Sequence, residues 1–179
     1  LMEIMLGGRG RDFVNVSLNR NVNPQWNVGF DIRNMVIRRQ IQSPSRRDRW
    51  HQSTQYDAHT SYRSKDGKYN LLVNFSRTNH RVTETGGTDS VVSSDGSVSF
   101  FDYNEIQALL SDAGSSELRR QYHLYHEYKF WPLAQIYHKV DRSLQWNYFN
   151  DPNPTESYYR NYYLDSTGTA DRMEFNTFR

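Results

Sequence analysis

From Trp26 to Arg33 the chain alternates without a break: Trp26, Val28, Phe30 and Ile32 are apolar, and Asn27, Gly29, Asp31 and Arg33 fall between them. Successive side chains of a strand point to opposite faces, so this segment predicts a strand with one greasy face and one charged face. Phe13 to Asn19 behaves alike, with Val14, Val16 and Leu18 opposite Asn15, Ser17 and Asn19. Tyr69, Leu71, Val73 and Phe75 oppose Asn70, Asn74 and Ser76, and Tyr122, Leu124, Tyr128 and Phe130 oppose His123, Glu127 and Lys129. The fold class this predicts is all-β and antiparallel.

The segments between these runs are of two lengths. Asn21-Val22-Asn23-Pro24, Ser64-Lys65-Asp66-Gly67-Lys68 and Trp131-Pro132-Leu133-Ala134 are short, and Asp-Gly is a strong turn signal. Polar stretches around 39–49, 83–119 and 150–170 are long. All five prolines fall in turns or loops, where a missing N–H does no harm. A soluble meander has no reason to sort its loops by length. An up-and-down transmembrane β-barrel does: its periplasmic turns are short, its extracellular loops long, and its strands apolar outside and polar inside. The apolar face is then expected to meet lipid, where a closed sheet satisfies every backbone group without water. Trp26, Phe130, Trp131 and Trp146 sit near the expected strand ends, where an interfacial aromatic girdle would be; ordinary strand packing is the lesser alternative for them.

Two strands strain the pattern. The greasy face of Ile136, Val140, Leu144 and Trp146 also carries His138 and Arg142. An arginine facing lipid at mid-depth costs roughly 2–4 kcal/mol, so either a bulge shifts the register near Arg142 or its side chain snorkels to an interface. The strand over 50–63 is weakly apolar, with Tyr56, Ala58 and Tyr62 offset by Thr54 and Thr60.

Composition sharpens the choice. Only 36% of residues are hydrophobic and mean hydropathy is −0.91, too little for an ordinary packed core. Disorder is normally poor in aromatics, whereas here they reach 15%. Formal net charge is +2, so no global field points to nucleic acid. The absence of cysteine excludes thiol catalysis, disulfides and cysteine-zinc sites. No apolar run approaches the roughly 20 residues of a membrane helix. No signal peptide opens the chain, and Leu1 reads as the middle of something larger.

The runs Leu6-Gly7-Gly8-Arg9-Gly10-Arg11-Asp12-Phe13 and Pro24-Gln25-Trp26-Asn27-Val28-Gly29-Phe30 resemble the putative porins of Bacteroidota. The resemblance continues through Tyr62-Arg63-Ser64-Lys65-Asp66-Gly67-Lys68-Tyr69, Glu84-Thr85-Gly86-Gly87, Tyr162-Tyr163-Leu164-Asp165-Ser166, Asp171 and Phe175-Asn176-Thr177-Phe178, in the family's order. It implies an outer-membrane barrel several times longer than this chain and supplies no catalytic residues. Residues 1–179 are accordingly expected to be part of a single barrel domain, incomplete at both ends, since about seven strands cannot close alone as a pore of that size.

Candidate chemistry is sparse. His123 and His126 are three apart on a strand and point to opposite faces. His51 and His59 share a face but lie roughly 26 Å apart at about 3.3 Å per residue, so no metal site and no cofactor are expected. No nucleophile elbow singles out a serine, which leaves no catalytic residue and no enzyme activity in view. Gly7-Gly8-Arg9-Gly10 is followed by no helix pattern to present a phosphate site and reads as a loop or bend. Arg38, Arg39, Arg46, Arg47 and Arg49 form a basic cluster at the first long loop. It is read as a solvated loop at a lipopolysaccharide surface, against the sharper reading of an anion-attracting vestibule. Asn104 to Leu110 reads as a short amphipathic helix packed on the barrel rim rather than folded inward as a constriction.

The function expected is an outer-membrane, porin-like channel for passive diffusion of small hydrophilic solutes. Its pore lining would be Asn27, Asp31, Arg33, Asp57, His59, Arg63, Asn74, Glu127, Lys129 and Asp141. The expected partners are outer-membrane lipid, lipopolysaccharide and those solutes, with no nucleic acid and with a homo-oligomer left open. One alternative is a plugged outer-membrane barrel whose long loops bind a glycan or a protein. Another is a soluble carbohydrate-binding β-sandwich whose greasy faces form a core.

Overall fold

The computed structural model describes residues 1–7, 10–38, 49–87, 91–92, 96–99, 108–110, 112–154, 156–160 and 169–179. In chain order the elements are β1 (Met2–Gly7), β2 (Arg11–Asn23), β3 (Trp26–Arg38), β4 (Arg49–Arg63) and β5 (Tyr69–Thr83). They continue with β6 (Val91–Val92), β7 (Val98–Ser99), β8 (Gly114–Trp131), β9 (Ala134–Asp151), α1 (Glu156–Tyr159) and β10 (Thr169–Phe178). Eight strands form one antiparallel sheet in the order β1-β2-β3-β4-β5-β8-β9-β10, each beside its predecessor, and β6 pairs with β7 alone. The sheet is open, with β1 and β10 as its edges. This is the up-and-down arrangement that the alternation predicts, with one strand, β1, beyond those it identifies.

Three connections at one end are short. Pro24 and Gln25 join β2 to β3, Ser64–Lys68 join β4 to β5, and Pro132 and Leu133 join β8 to β9. The other end carries the long ones, of which the link from β5 to β8 contains the β6–β7 hairpin; residues 8–10, between β1 and β2, are a short exception there. Residues 114–119, expected in a loop, belong to β8, because Gly114 to Arg119 continue the ladder against Thr83 to Thr78 of β5.

Register is unbroken through the body of the sheet. Its irregularities fall between Asn21 and Asn23, between Ile37 and Arg38, and between Lys129 and Trp131, all near strand ends. The pairing of β8 with β9 runs without interruption from Gly114↔Asn150 to Lys129↔Gln135, so no bulge turns Arg142 off the apolar face.

Directly paired residues share a face, and the registers sort every strand. One face carries Val16, Phe30, Ile32, Ala58, Leu71, Val73, Phe75, Leu124 and Val140; the other carries Asn19, Asp31, Asp57, Asn74, His123 and Asp141. Among the described residues, nothing covers either. Leu110 and Ala113 are the buried hydrophobic residues among those described, and Leu72, Ile136, Phe175 and Trp131 stand 48%, 50%, 52% and 68% exposed. A soluble sheet of this size buries at least one face against a second layer, and a sandwich core is missing from the described residues.

The weakly apolar β4 is held in part by side chains. Trp26 Nε1 donates to Thr60 Oγ1 at 2.7 Å, and Thr60 Oγ1 donates to the Asn27 carbonyl at 2.9 Å. An apolar-face threonine is thereby satisfied without water, which removes most of the cost of placing it there.

Buried side chains gather at the long-loop end instead. Leu110 and Ala113 are 4% and 1% exposed, and Asp151, at the tip of β9, is 1% exposed. Asp151 accepts hydrogen bonds from Tyr159 Oη at 2.7 Å and from the Asn153 amide at 3.1 Å, while Asn153 Nδ2 donates to Asp112 at 2.8 Å. The amides of Leu109 and Leu110 reach the carbonyls of Gly87 and Thr85. Gly86, at φ 65°, lies so close to Leu110 and Tyr158 that a Cβ there would clash with both. These contacts clasp the β5–β8 and β9–β10 connections together. The helix expected over 104–110 lies mostly outside the described residues; Ala108, Leu109 and Leu110 are not helical and belong to the clasp.

Candidate pore-lining face

The residues expected to line a pore all fall on one face. Asn27, Asp31 and Arg33 on β3 stand opposite Ser61, Asp57 and Gln55 on β4, and Gly29 stands opposite His59. His59 pairs with Asn74 of β5, Asn74 with His123 of β8, and His123 with Asp141 of β9. Arg63 pairs with Asn70, Asn70 with Glu127, and Lys129 follows on β8. Gly29 is buried because the Asn19 amide and the His59 imidazole lie across it, in the space a Cβ would fill.

Charges on this face are engaged with one another. Glu127 accepts from Asn70 Nδ2 at 2.5 Å and from Tyr125 Oη at 2.8 Å, and Lys129 Nζ lies 3.8 Å away. Asp141 accepts from His123 Nδ1 and pairs with Lys139 Nζ at 3.0 Å. Glu117 meets Arg119 at 2.7 Å, and Gln55 donates to Asp57 at 2.7 Å. Tyr125 and Tyr137 stack with centroids 6.1 Å apart. Acids and bases interleave, so the face has no dominant sign. It is also less uniformly polar than the sequence suggested: Phe13 pairs with Met35, Ile37 with His51, and Met173 with Asn147, bringing apolar side chains onto it towards the long-loop end.

Histidines pair across strands rather than along them. His51 meets His80 edge-on at 4.3 Å on the polar face, and His126 shares a 3.0 Å hydrogen bond with His138 on the apolar face. No cluster of three metal-ligating side chains occurs among the described residues. Neither cross-strand pair was visible in the sequence, where spacing along one strand is the only signal.

Other expected features fare unevenly. Arg38 stacks its side chain on Gly10 and reaches Asp12 at 3.8 Å. Arg49 begins β4 as the partner of Arg38, and Arg39, Arg46 and Arg47 lie outside the described residues. Trp26, Phe130 and Trp131 stand at the short-turn end, exposed by 44%, 58% and 68%. Trp146 does not sit at a strand end, because β9 continues to Asp151; its ring lies under Arg120, 5.4 Å from the guanidinium carbon.

The turn between β4 and β5 carries its own chemistry. Ser64 Oγ donates to Asp66 Oδ1 at 2.5 Å and the Lys68 amide donates to the same oxygen at 3.1 Å. These bonds, the hydroxyl's first, hold the Asp66 carboxyl below the usual aspartate range. A lowered folded value means the stabilisation is complete above the unfolded pKa and is lost as pH falls through the folded one. Protection of the Lys68 amide, taken relative to its intrinsic exchange rate at each pH, should therefore hold at neutral pH and fall once the solution is acidified past the ordinary aspartate range. Asp66→Asn should exchange at a rate that no longer follows this titration; an unchanged profile would remove Asp66 from the account of the turn.

A profile of the family described as "Putative porin" matches residues 2–179. No curated protein and no solved structure is detectably similar to the chain. One uncovered antiparallel sheet with an apolar and a polar face, matched by that profile from end to end, places this chain in the putative porin family.

Proposed function

We propose that the chain forms part of the wall of an outer-membrane β-barrel through which small hydrophilic solutes diffuse without chemical change. The observation that carries this reading is the uncovered sheet itself. Among the described residues, an apolar face led by Val73, Leu124 and Val140 has no protein layer over it, and the opposite face holds hydrogen-bonded charges with no protein layer over them either. Lipid against the first and water against the second satisfy both. The short turns would then lie in the periplasm and the long connections outside. Membership of the family supports an outer-membrane, non-enzymatic role.

Single-channel recording of the full-length protein carrying this chain, refolded into a planar bilayer, tests the proposal. Stepwise currents are expected. Asp31→Asn with Asp57→Asn should then move selectivity towards anions by up to about fivefold, because a unit charge at 4 Å in water is worth about 1 kcal/mol. Insertion without current would overturn the diffusion channel and favour a plugged barrel that binds through its loops. A protein soluble without detergent would favour the sandwich.

A further inference from the structure

The apolar face carries a second anomaly beyond Arg142. Arg77 of β5 and Arg120 of β8 stand directly opposite each other on that face, a like-charge pair that is destabilising when left alone. Arg142 occupies the adjacent position on β9, paired with Tyr122 and diagonal to Arg120, so three arginines arise as neighbours on one face of three consecutive strands. Arg81 and Arg172 extend the same face towards the long-loop end. The nearest acid on this side, Glu174, is engaged with Arg172 at 3.4 Å. Among the described residues no carboxylate pairs with Arg77, Arg120 or Arg142. Arg120 is braced over Trp146, which fixes its plane without neutralising it.

Height along the strands is the second observation. Tyr69 pairs with Tyr128 near the short turns, and Arg77 pairs with Arg120 eight residues further up both strands. At about 3.3 Å per residue and a tilt near 40°, that is roughly 20 Å, close to the upper margin of an apolar band about 25 Å tall. Below the arginines the face is Phe75, Tyr122, Val73, Leu124 and Val140. A ligand lying here meets guanidinium groups at its head and aliphatic and aromatic side chains along its tail.

We propose that Arg77, Arg120 and Arg142 bind the phosphate of a phosphorylated glycolipid in the outer leaflet, whose acyl chains lie on the apolar tier beneath. The site rests on the membrane reading of the sheet given above. Guanidinium groups pair with phosphate through two parallel hydrogen bonds, and a shared anion turns the Arg77–Arg120 repulsion into attraction.

The test is native mass spectrometry of the full-length protein carrying this chain, released from micelles containing either diphosphoryl lipid A or its dephosphorylated form. Folding and insertion are scored separately by mobility in cold detergent gels. The wild type should retain diphosphoryl lipid A and discriminate against the dephosphorylated form. The R77Q/R120Q/R142Q variant should hold the phosphorylated lipid about tenfold or more weakly, the R77K/R120K/R142K variant should recover part of the loss, and R33Q/R119Q on the opposite face should match the wild type. Equal retention by the glutamine variant, an equal loss in the opposite-face control, or displacement of the lipid by millimolar inorganic phosphate would each overturn the site. A glutamine variant that fails to fold leaves the wild-type comparison of the two lipids decisive, since no discrimination there refutes phosphate recognition. Failure of the wild type to insert would instead overturn the membrane reading, and the site with it.

Discussion

Leu124→Arg is expected to destabilise the folded protein by about 2–4 kcal/mol, while Ser76→Arg changes stability by no more than about 0.5 kcal/mol. Leu124 stands between Val73 and Val140 in the middle of the apolar face, and Ser76 lies close by in the sheet but on the other face. If the two faces meet different solvents, a charge added to one must shed its hydration and a charge added to the other keeps it. Leu124 also lies below the arginine tier, too deep for a new guanidinium to reach the headgroups as easily as Arg142 does. Denaturant titration of the full-length protein folded into vesicles gives both numbers. Equal costs at the two positions would show that the faces share one environment and would undo the assignment of lipid and water.

Asp151→Ala should open the clasp at the long-loop end at a cost of about 1–3 kcal/mol, leaving the sheet below intact. Removing the carboxylate strips the Tyr159 hydroxyl and the Asn153 amide of the buried acceptor that joins them. Hydrogen exchange should rise, and protease cleavage should appear, in 152–160 and in 108–113, with no change in the ladders of β4, β5 and β8. Asp151→Asn keeps one acceptor oxygen and should recover part of the protection. Protection lost evenly across β8 and β9 would show that the residue supports the sheet rather than the loops.

The sequence declared its strands because period two survives in each strand read alone. Trp26 to Arg33 needs no partner to be recognised, and the turns at Pro24, Asp66-Gly67 and Pro132 mark where each hairpin closes. What it concealed depends on pairing. β1 escaped because its six residues carry apolar side chains on both faces, Met5 as well as Met2, Ile4 and Leu6. Gly114 to Arg119 read as loop because polar Gly-Ser-Ser-Glu becomes strand only against the end of β5. The residues expected to line a pore were legible as members of a polar face, whereas the hydrogen bonds from Asn70 and Tyr125 to Glu127 and from His123 to Asp141 were not. Arg142 stood out as misplaced in its own strand, but its company with Arg77 and Arg120 is set by register between strands, which no single run of residues encodes. The clasp joins Gly86, Leu110, Asp151 and Tyr159, far apart in sequence, and leaves no local trace.

Because the interior of every ladder is free of bulges, a residue's side of the wall is decided by whether its distance from the turn is odd or even. Deleting a single residue within a strand would carry everything beyond it from oil to water and from water to oil, whereas losing two only shortens the strand. A wall of this kind can therefore change by descent in steps of two residues along a strand, or by gaining and losing whole hairpins, and scarcely otherwise. Its loops are free of that arithmetic, which is why divergence between related walls should collect there, where an odd insertion offends no parity at all.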